Sequence, residues 1–196
     1  DVRIDEVSSR VEELNAHLRD EGIPVEVLPG GEVAETAVEK LSEEELGRVA
    51  LGGGSWVLLE PAPGSLTDSL ERRVEHLAER GHQTLIAHPE RHLSADMFER
   101  LGRLVADGAL VQVTADYLLR ERTRSGMLAL AEAGLVHVLS SDAHSSHGGR
   151  PVHLAAGFEA LSEVGMLRPH LDWVTRTAPR AIVEGAPLEP PYAPAV

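Results

Sequence analysis

The chain has 196 residues, which is enough for one domain with a substantial hydrophobic core. Its formal charge of −14 argues against a nucleic-acid partner, because phosphate backbones recruit basic surfaces. The absence of Cys excludes disulfides and thiolate metal sites, and no run of about 18 apolar residues predicts a membrane span. We therefore expect a cytoplasmic protein without membrane insertion, and we leave its oligomeric state open.

The elements predicted in chain order alternate between helices and short buried strands. Apolar residues at helical spacing, such as Val7, Val11 and Leu14, predict that the chain begins with a helix. Five short apolar runs predict strands at residues 25–28, 56–60, 84–87, 110–115 and 136–141. Gly turns precede several of these runs. This order of helix, Gly stop and strand is typical of repeated β/α units that build a parallel sheet.

The predicted elements indicate one domain and a tail. We expect a single β/α domain over residues 1–185 and an irregular, Pro-rich tail over residues 186–196. An eight-unit β/α barrel typically takes about 250 residues, so five strands predict fewer units than a full barrel. Because the first predicted element is a helix without a preceding strand, we also expect that an N-terminal segment of the fold is missing.

Side chains that can bind metals follow four of the five predicted strands. Glu32 follows the Gly turn after the first, Glu60 ends the second, and His88 follows the third. Asp142 and His144 come after the fifth. Because the carboxyl ends of parallel strands share one face, we expect these side chains to converge. Carboxylates and imidazoles without thiolates suit Mn, Fe or Zn, with Mg as an alternative at oxygen-rich positions.

Two arginines accompany these candidate ligands. Arg91 lies three residues after His88, and Arg150 follows the ligands of the fifth strand. Two guanidinium groups would repel a nearby metal ion unless an anion lay between them, and a phosphate ester would supply that anion. The alternatives are a surface ion pair of Arg91 with Glu90 or Glu99, and a helix-capping role for Arg150.

Other polar residues near the predicted site have less specific interpretations. Asp116 follows the fourth strand and is a candidate for substrate contact, with a helix N-cap as the alternative. His92 and His147 lie beside the site, where ordinary roles are favoured over metal ligation. Glu90 is also interpreted as an ordinary polar residue of the loop after the third strand.

Four sequence motifs, LPGGEV, LLEPAPGS, LIAHPER and SSDAHSSHGGRP, resemble in order and spacing those of PHP-domain metal-dependent phosphatases. The similarity is strongest to their bacterial capsule and exopolysaccharide branch, the CpsB/YwqE-type protein-tyrosine phosphatases, and covers roughly residues 5–165. The resemblance implies a distorted (β/α)7 barrel, with its first two β/α units missing from this chain. It further implies two or three bound metal ions, with Mn²⁺ as the expected metal.

The resemblance also implies an activity and a partner. The expected reaction is hydrolysis of phosphotyrosine on a bacterial tyrosine kinase that regulates polysaccharide synthesis or export. A metal-bound hydroxide would attack phosphorus directly, without a phosphoenzyme. The absence of Cys excludes the cysteine-nucleophile route to the same reaction.

The resemblance assigns roles to the candidate residues. Five residues are implied as metal ligands. Glu32 would bridge two ions. Glu60 and His88 would bind the second ion, Asp142 the first and His144 a third. Arg91 and Arg150 match the phosphate-contacting arginines and are the catalytic candidates. The HxH strand with its nearby Asp and the strand with a further His, both typical of the family, do not occur here. The segment after the fourth strand, usually Gly-rich, reads TADYLLRERTRSG.

Two other functions stay open at this point. The chain could be a PHP phosphoesterase for small molecules, such as histidinol phosphate or a nucleotide. It could also be a catalytically silent regulatory or binding domain, which the missing histidines would favour. A hydrolase of the amidohydrolase type is disfavoured, because that chemistry would require a carbamylated Lys and Lys40 is the only lysine, in a helix-like segment.

Overall fold

The chain is built around one parallel sheet flanked by helices. The computed structural model describes residues 3–92, 94, 96–144 and 151–195. The elements are α1 Val7–Asp20, β1 Glu32–Ala34, α2 Glu43–Val49, β2 Trp56–Glu60, α3 Asp68–Glu79, β3 Gln83–Ala87, α4 Met97–Ala106, β4 Leu110–Thr114, α5 Ala115–Leu119, α6 Glu121–Glu132, β5 Val138–Ser140, α7 Leu154–Ser162 and α8 Ala178–Glu184. The five strands pair in sequence order and all run parallel, which confirms the predicted α/β class. No helix in these ranges has the length and apolar character needed to cross a membrane.

The first strand lies several residues later than predicted, so the strand prediction for residues 25–28 is wrong. Val25 is 58% exposed, and no strand forms there. The side-chain amide of Asn15 on α1 occupies both backbone groups of Val27. Its Nδ2 donates to the Val27 carbonyl oxygen at 2.8 Å, and its Oδ1 accepts the Val27 N–H at 2.7 Å. The backbone N–H and carbonyl of Val27 are thus bonded by a helix side chain, and the strand forms at Glu32–Ala34 instead.

The two faces of the sheet differ in character, because successive side chains of a strand point to opposite faces. One face contributes to the main hydrophobic core with Val33, Val57, Leu59, Ile86, Val111, Val113 and Leu139. The other face forms a smaller cluster, which consists of Trp56, Leu85, Leu110 and Val138 together with Ala178 and Ile182 of α8. Further along the strands, the positions that share this second face carry Glu60, Gln112 and Ser140. This face therefore changes from apolar to polar toward the carboxyl ends of the strands.

His137 anchors the opposite, amino end of the sheet. It is fully buried directly before β5, where its N–H donates to the Val111 carbonyl at 2.9 Å and its Nδ1 accepts the Val111 N–H at 3.1 Å. The ring of Tyr192, in the segment after α8, stacks on the imidazole with 5.7 Å between ring centroids. Desolvation lowers the pKa of His137 to about 4 from its ordinary value of 6.5.

The buried His137 predicts a pH dependence of stability. The unfolded chain takes up a proton on this residue near pH 6.5, and the folded chain does so only near pH 4, so stability falls as the pH falls between these values. The full effect is about 3 kcal/mol. Denaturant unfolding across this range should show a shallower pH dependence for His137→Phe than for the wild type. The exposed His17→Gln variant on α1 is the control, and equal slopes for wild type and His137→Phe would contradict the prediction.

Candidate metal centre

Three predicted ligands from three neighbouring strands meet at the carboxyl side of the sheet. Glu60 is the last residue of β2, and His88 directly follows β3, as predicted. Glu32 differs from the prediction, because it is the first residue of β1 and not part of a loop after a strand. Nε2 of His88 lies 2.6 Å from Oε1 of Glu32 and 3.8 Å from Oε1 of Glu60.

This group has the composition of a metal site. The ligand atoms of Glu32, Glu60 and His88 all lie within 4.8 Å of one another. Two carboxylate oxygens and one imidazole nitrogen are donors that suit Mn, Fe and Zn. His88 is 1% exposed, so an ion here would be shielded from water on the imidazole side. The three side chains therefore fit a divalent cation by donor type and by spacing.

The backbone at two strand ends adopts an unusual conformation. His88 has φ 33° and ψ 56°, and Asp142, two residues after β5, has φ 45°. They are the two positive-φ residues other than glycine within the described ranges. Left-handed conformations cost such residues about 1–3 kcal/mol each and persist only where surrounding contacts enforce them. His88 has such a contact, since its N–H donates to the Gln112 carbonyl at 3.0 Å and extends the pairing of β3 with β4.

Arg91 joins carboxylates from distant strands. Its NH2 group lies 2.6 Å from Oδ2 of Asp142, and its NH1 group lies 3.5 Å from Oε1 of Glu60. Arg91 therefore pairs with Glu60 and Asp142 rather than with Glu90 or Glu99, the predicted alternative. In a flat sheet β2 and β5 would be separated by three strand spacings, or about 14 Å. One guanidinium contacts both because the long side chains of Glu60 and Arg91, and Asp142 in the loop after β5, extend toward the same place.

His144 lies close to Asp142 but outside the group of three. Its Nδ1 is 2.9 Å from the backbone carbonyl of Asp142 and 3.6 Å from the Asp142 carboxylate, and its side chain is 57% exposed. Arg91 thus links Asp142 to Glu60, and the exposed His144 lies next to Asp142. Arg150 and His147 lie outside the described residues.

Asp116 is buried near the end of β4. It is the second residue of α5 and not its N-cap, a position that Thr114 occupies. Its carboxylate accepts a hydrogen bond from Nε of Arg120 at 2.6 Å and lies 3.2 Å from Nδ1 of His153. The structure therefore excludes the capping alternative, and substrate contact by Asp116 stays a prediction.

The sequence interpretation missed two buried residues beside His88. Glu90 is 2% exposed, and its Oε1 accepts the N–H of Thr114 at 2.8 Å, which ties the turn after β3 to the end of β4. Burial raises the pKa of the Glu90 carboxyl. His92 is also buried, and its Nδ1 donates to the carbonyl of Gly64 at 2.7 Å. The sequence signal for their burial was their position directly after a buried strand. It was not sufficient, because Glu and His residues in loops are usually exposed.

Together, the fold and the donor set define a class: a parallel α/β protein with a candidate metal centre at the carboxyl ends of its strands. The chain belongs to the CpsB/CapC family, described as capsular polysaccharide synthesis, which matches residues 1–165. This confirms the relationship that the four sequence motifs indicate.

Two similar proteins agree with this placement. The tyrosine-protein phosphatase YwqE of Bacillus subtilis (strain 168) is 30% identical over 145 residues, which cover 71% of this chain. The match spans only 56% of the length of YwqE. A crystal structure from work on YwqE of Bacillus subtilis and CpsB of Streptococcus pneumoniae, described as unique metal-dependent tyrosine phosphatases, has a TM-score of 0.78 at 25% identity. It covers 96% of this chain and 77% of the other.

Glu90 yields a prediction about stability. Glu90→Ala should lower the free energy of unfolding by about 1–3 kcal/mol, because the buried N–H of Thr114 loses its acceptor. Glu90→Gln keeps an acceptor oxygen and removes the ionisable group, so at neutral pH it should be at least as stable as the wild type. Urea unfolding measures both, with the exposed Glu99→Gln on α4 as control. An equal loss in the Ala and Gln variants would contradict this explanation.

Proposed function

We propose that this protein is a metal-dependent phosphatase that hydrolyses phosphotyrosine in proteins. The observation that carries the proposal is the meeting of Glu32, Glu60 and His88 within 4.8 Å, with Arg91 in contact with one of them. A metal centre next to a guanidinium is suited to a dianionic phosphate ester. The likeness to YwqE, which is named a tyrosine-protein phosphatase, supports the choice of substrate.

A bound ion would be held by side chains at the start of β1, at the end of β2 and directly after β3. Glu32, Glu60 and His88 are the proposed ligands of the second ion, with Glu32 bridging to the first, and Asp142 and His144 are the proposed ligands of the first and third ions. Mn²⁺ is the proposed metal, with Fe, Zn or Mg as alternatives, because the donors are oxygen and imidazole nitrogen. When bound, such ions acidify a coordinated water and stabilise the charge that develops on the phosphoryl oxygens.

Arg91 has the proposed role of orienting the phosphoryl group. Its planar guanidinium can donate two parallel hydrogen bonds to phosphoryl oxygens. Ion pairs with Glu60 and Asp142 already place it beside the candidate metal centre, and a bound phosphoryl group would replace these contacts. Arg150 is the proposed second phosphate-contacting arginine, and Asp116 a proposed substrate contact.

The wider setting of this activity is also a proposal. The five-stranded parallel sheet is proposed to be part of a distorted seven-stranded β/α barrel, which the match to the CpsB/CapC family supports. The proposed partner is a bacterial tyrosine kinase that regulates polysaccharide synthesis or export. The family description, capsular polysaccharide synthesis, supports this partner.

The metal ligands predict loss of activity on substitution. Glu60→Gln should weaken Mn²⁺ binding by roughly tenfold or more and lower kcat/KM for p-nitrophenyl phosphate by roughly a hundredfold, because the amide binds cations less well than the carboxylate. Calorimetry and a steady-state assay measure the two effects. Glu12→Gln, on the exposed side of α1, is the matched control. Full activity in Glu60→Gln, or wild-type activity that survives a chelator, would refute the proposal.

The contacts of Arg91 predict that its substitution will change the affinity for phosphate and the affinity for metal differently. Arg91→Met should raise the inhibition constant of inorganic phosphate by roughly tenfold to a hundredfold, because the charge-assisted hydrogen bonds are lost. Affinity for Mn²⁺ should stay the same or increase, since the Glu60 carboxylate loses a competing cation. Arg91→Lys, which keeps the charge without the planar fork, should be intermediate. Weaker Mn²⁺ binding with unchanged phosphate inhibition would show that Arg91 only supports the ligands.

A further inference from the structure

A cleft of about 300 Å³ opens beside the candidate metal centre. Glu60 and Arg91 are among the residues that line it. Residues 34–36, at the end of β1 and directly after it, line one part of the cleft, and residues 61–64, which follow β2, line another part, called here the wall. The cleft therefore borders the place where the phosphoryl group is proposed to bind.

The wall formed by residues 61–64 is held in place from two sides. Glu35 is buried, 4% exposed, and accepts the N–H of Ala62 at 2.9 Å. His92 is 7% exposed and donates from Nδ1 to the carbonyl of Gly64 at 2.7 Å. Pro61 and Pro63 fix two backbone φ angles of the same loop. The cleft is thus built before any ligand enters, with anchors from two other segments of the chain.

The surface of this wall suits a flat apolar group. Pro61, Ala62 and Pro63 are among the residues that line the cleft. An apolar cavity of about 150 Å³ is large enough for benzene. A cleft of about 300 Å³ therefore has room for a phenyl ring and the atoms next to it. Polar leaving groups, such as a nucleoside or an amino alcohol, would lose hydration where they lie against the prolines.

From this geometry we infer that the cleft is the leaving-group subsite: it receives the aromatic ring of an aryl phosphate, and Glu35 and His92 are positioning residues that hold its wall. The inference rests on the proposed phosphatase function and adds a structural basis for preferring aryl over alkyl esters. In the reaction, the P–O bond to the ring breaks and water supplies the new oxygen on phosphorus. A proton from that water ends on the phenolic oxygen.

The decisive experiment fills the cleft. Ala62→Trp should weaken binding of 4-(phosphonomethyl)phenylalanine, a phosphotyrosine analogue that cannot be hydrolysed, by roughly tenfold to a hundredfold. Inorganic phosphate should bind within about twofold of the wild type, because the phosphoryl end of the site is unchanged. Calorimetry on the purified, Mn²⁺-loaded protein measures both ligands. Ala78→Trp, at an exposed position on α3, is the matched control.

A second variant tests the wall without filling the cleft. His92→Phe keeps a ring of similar size but loses the hydrogen bond to Gly64, so KM for phosphotyrosyl peptide should rise more than kcat falls. His92→Asn can donate from nearly the same position as Nδ1 and should restore part of the loss. A merely destabilising effect would instead lower the active fraction, and therefore kcat, for aryl and alkyl phosphates alike, which would count against the inference.

The two proposals fail in different ways. Wild-type protein that neither binds inorganic phosphate nor hydrolyses p-nitrophenyl phosphate with Mn²⁺ would overturn the phosphatase function, and the subsite with it. An active wild-type enzyme whose Ala62→Trp variant keeps full affinity for the phosphonate would overturn the subsite alone. Equal loss of phosphonate and phosphate affinity in Ala62→Trp would have the same consequence.

Discussion

The parallel register of the sheet is the constraint on which the rest of the structure depends. Parallel pairing places every strand's carboxyl end on one side, and the alternation of side chains gives each face of the sheet its own set of residues. Glu32 is level with Leu58, and Ala34 with Glu60, so the position of β1 decides whether the two carboxylates approach each other. A slip of β1 by one residue would turn Glu32 toward the main hydrophobic core. The hydrophobic contacts of Val33 against that core therefore fix the geometry of the candidate metal centre as well as the stability of β1.

The site combines this rigid frame with locally unfavourable features. His88 and Asp142 have left-handed backbones, and Glu90 carries a carboxyl group into the protein interior. Each is compensated by contacts that cross between strands: His88 with Gln112, Glu90 with Thr114, and Asp142 with Arg91. Concentration of such features at one edge of the sheet is typical of functional sites, where the fold enforces conformations that an isolated loop would not adopt.

Much of the fold followed from the sequence, because buried parallel strands appear as short apolar runs between Gly stops and helices. Four of the five strand positions and the convergence of Glu60 with His88 could be predicted in this way. The error at residues 25–28 arose because an apolar run indicates burial only when a neighbouring strand is available, and the amide of Asn15 took the backbone of Val27 instead. The buried state of Glu90 depends on a contact with Thr114, 24 positions away, which no local pattern encodes.

The contacts of Arg91 connect the two halves of the proposed chemistry. The Glu60 carboxylate pairs with a guanidinium and belongs to the candidate metal centre, so a cation bound there would compete with the existing ion pair. A phosphate group would draw the same guanidinium away from the carboxylate. Metal and phosphate would therefore bind cooperatively, each relieving the competition that the other meets, and by linkage each would raise the affinity of the other by the same factor. The protein would then discriminate against phosphate esters when its metal is scarce, through one shared carboxylate and without any movement of the sheet.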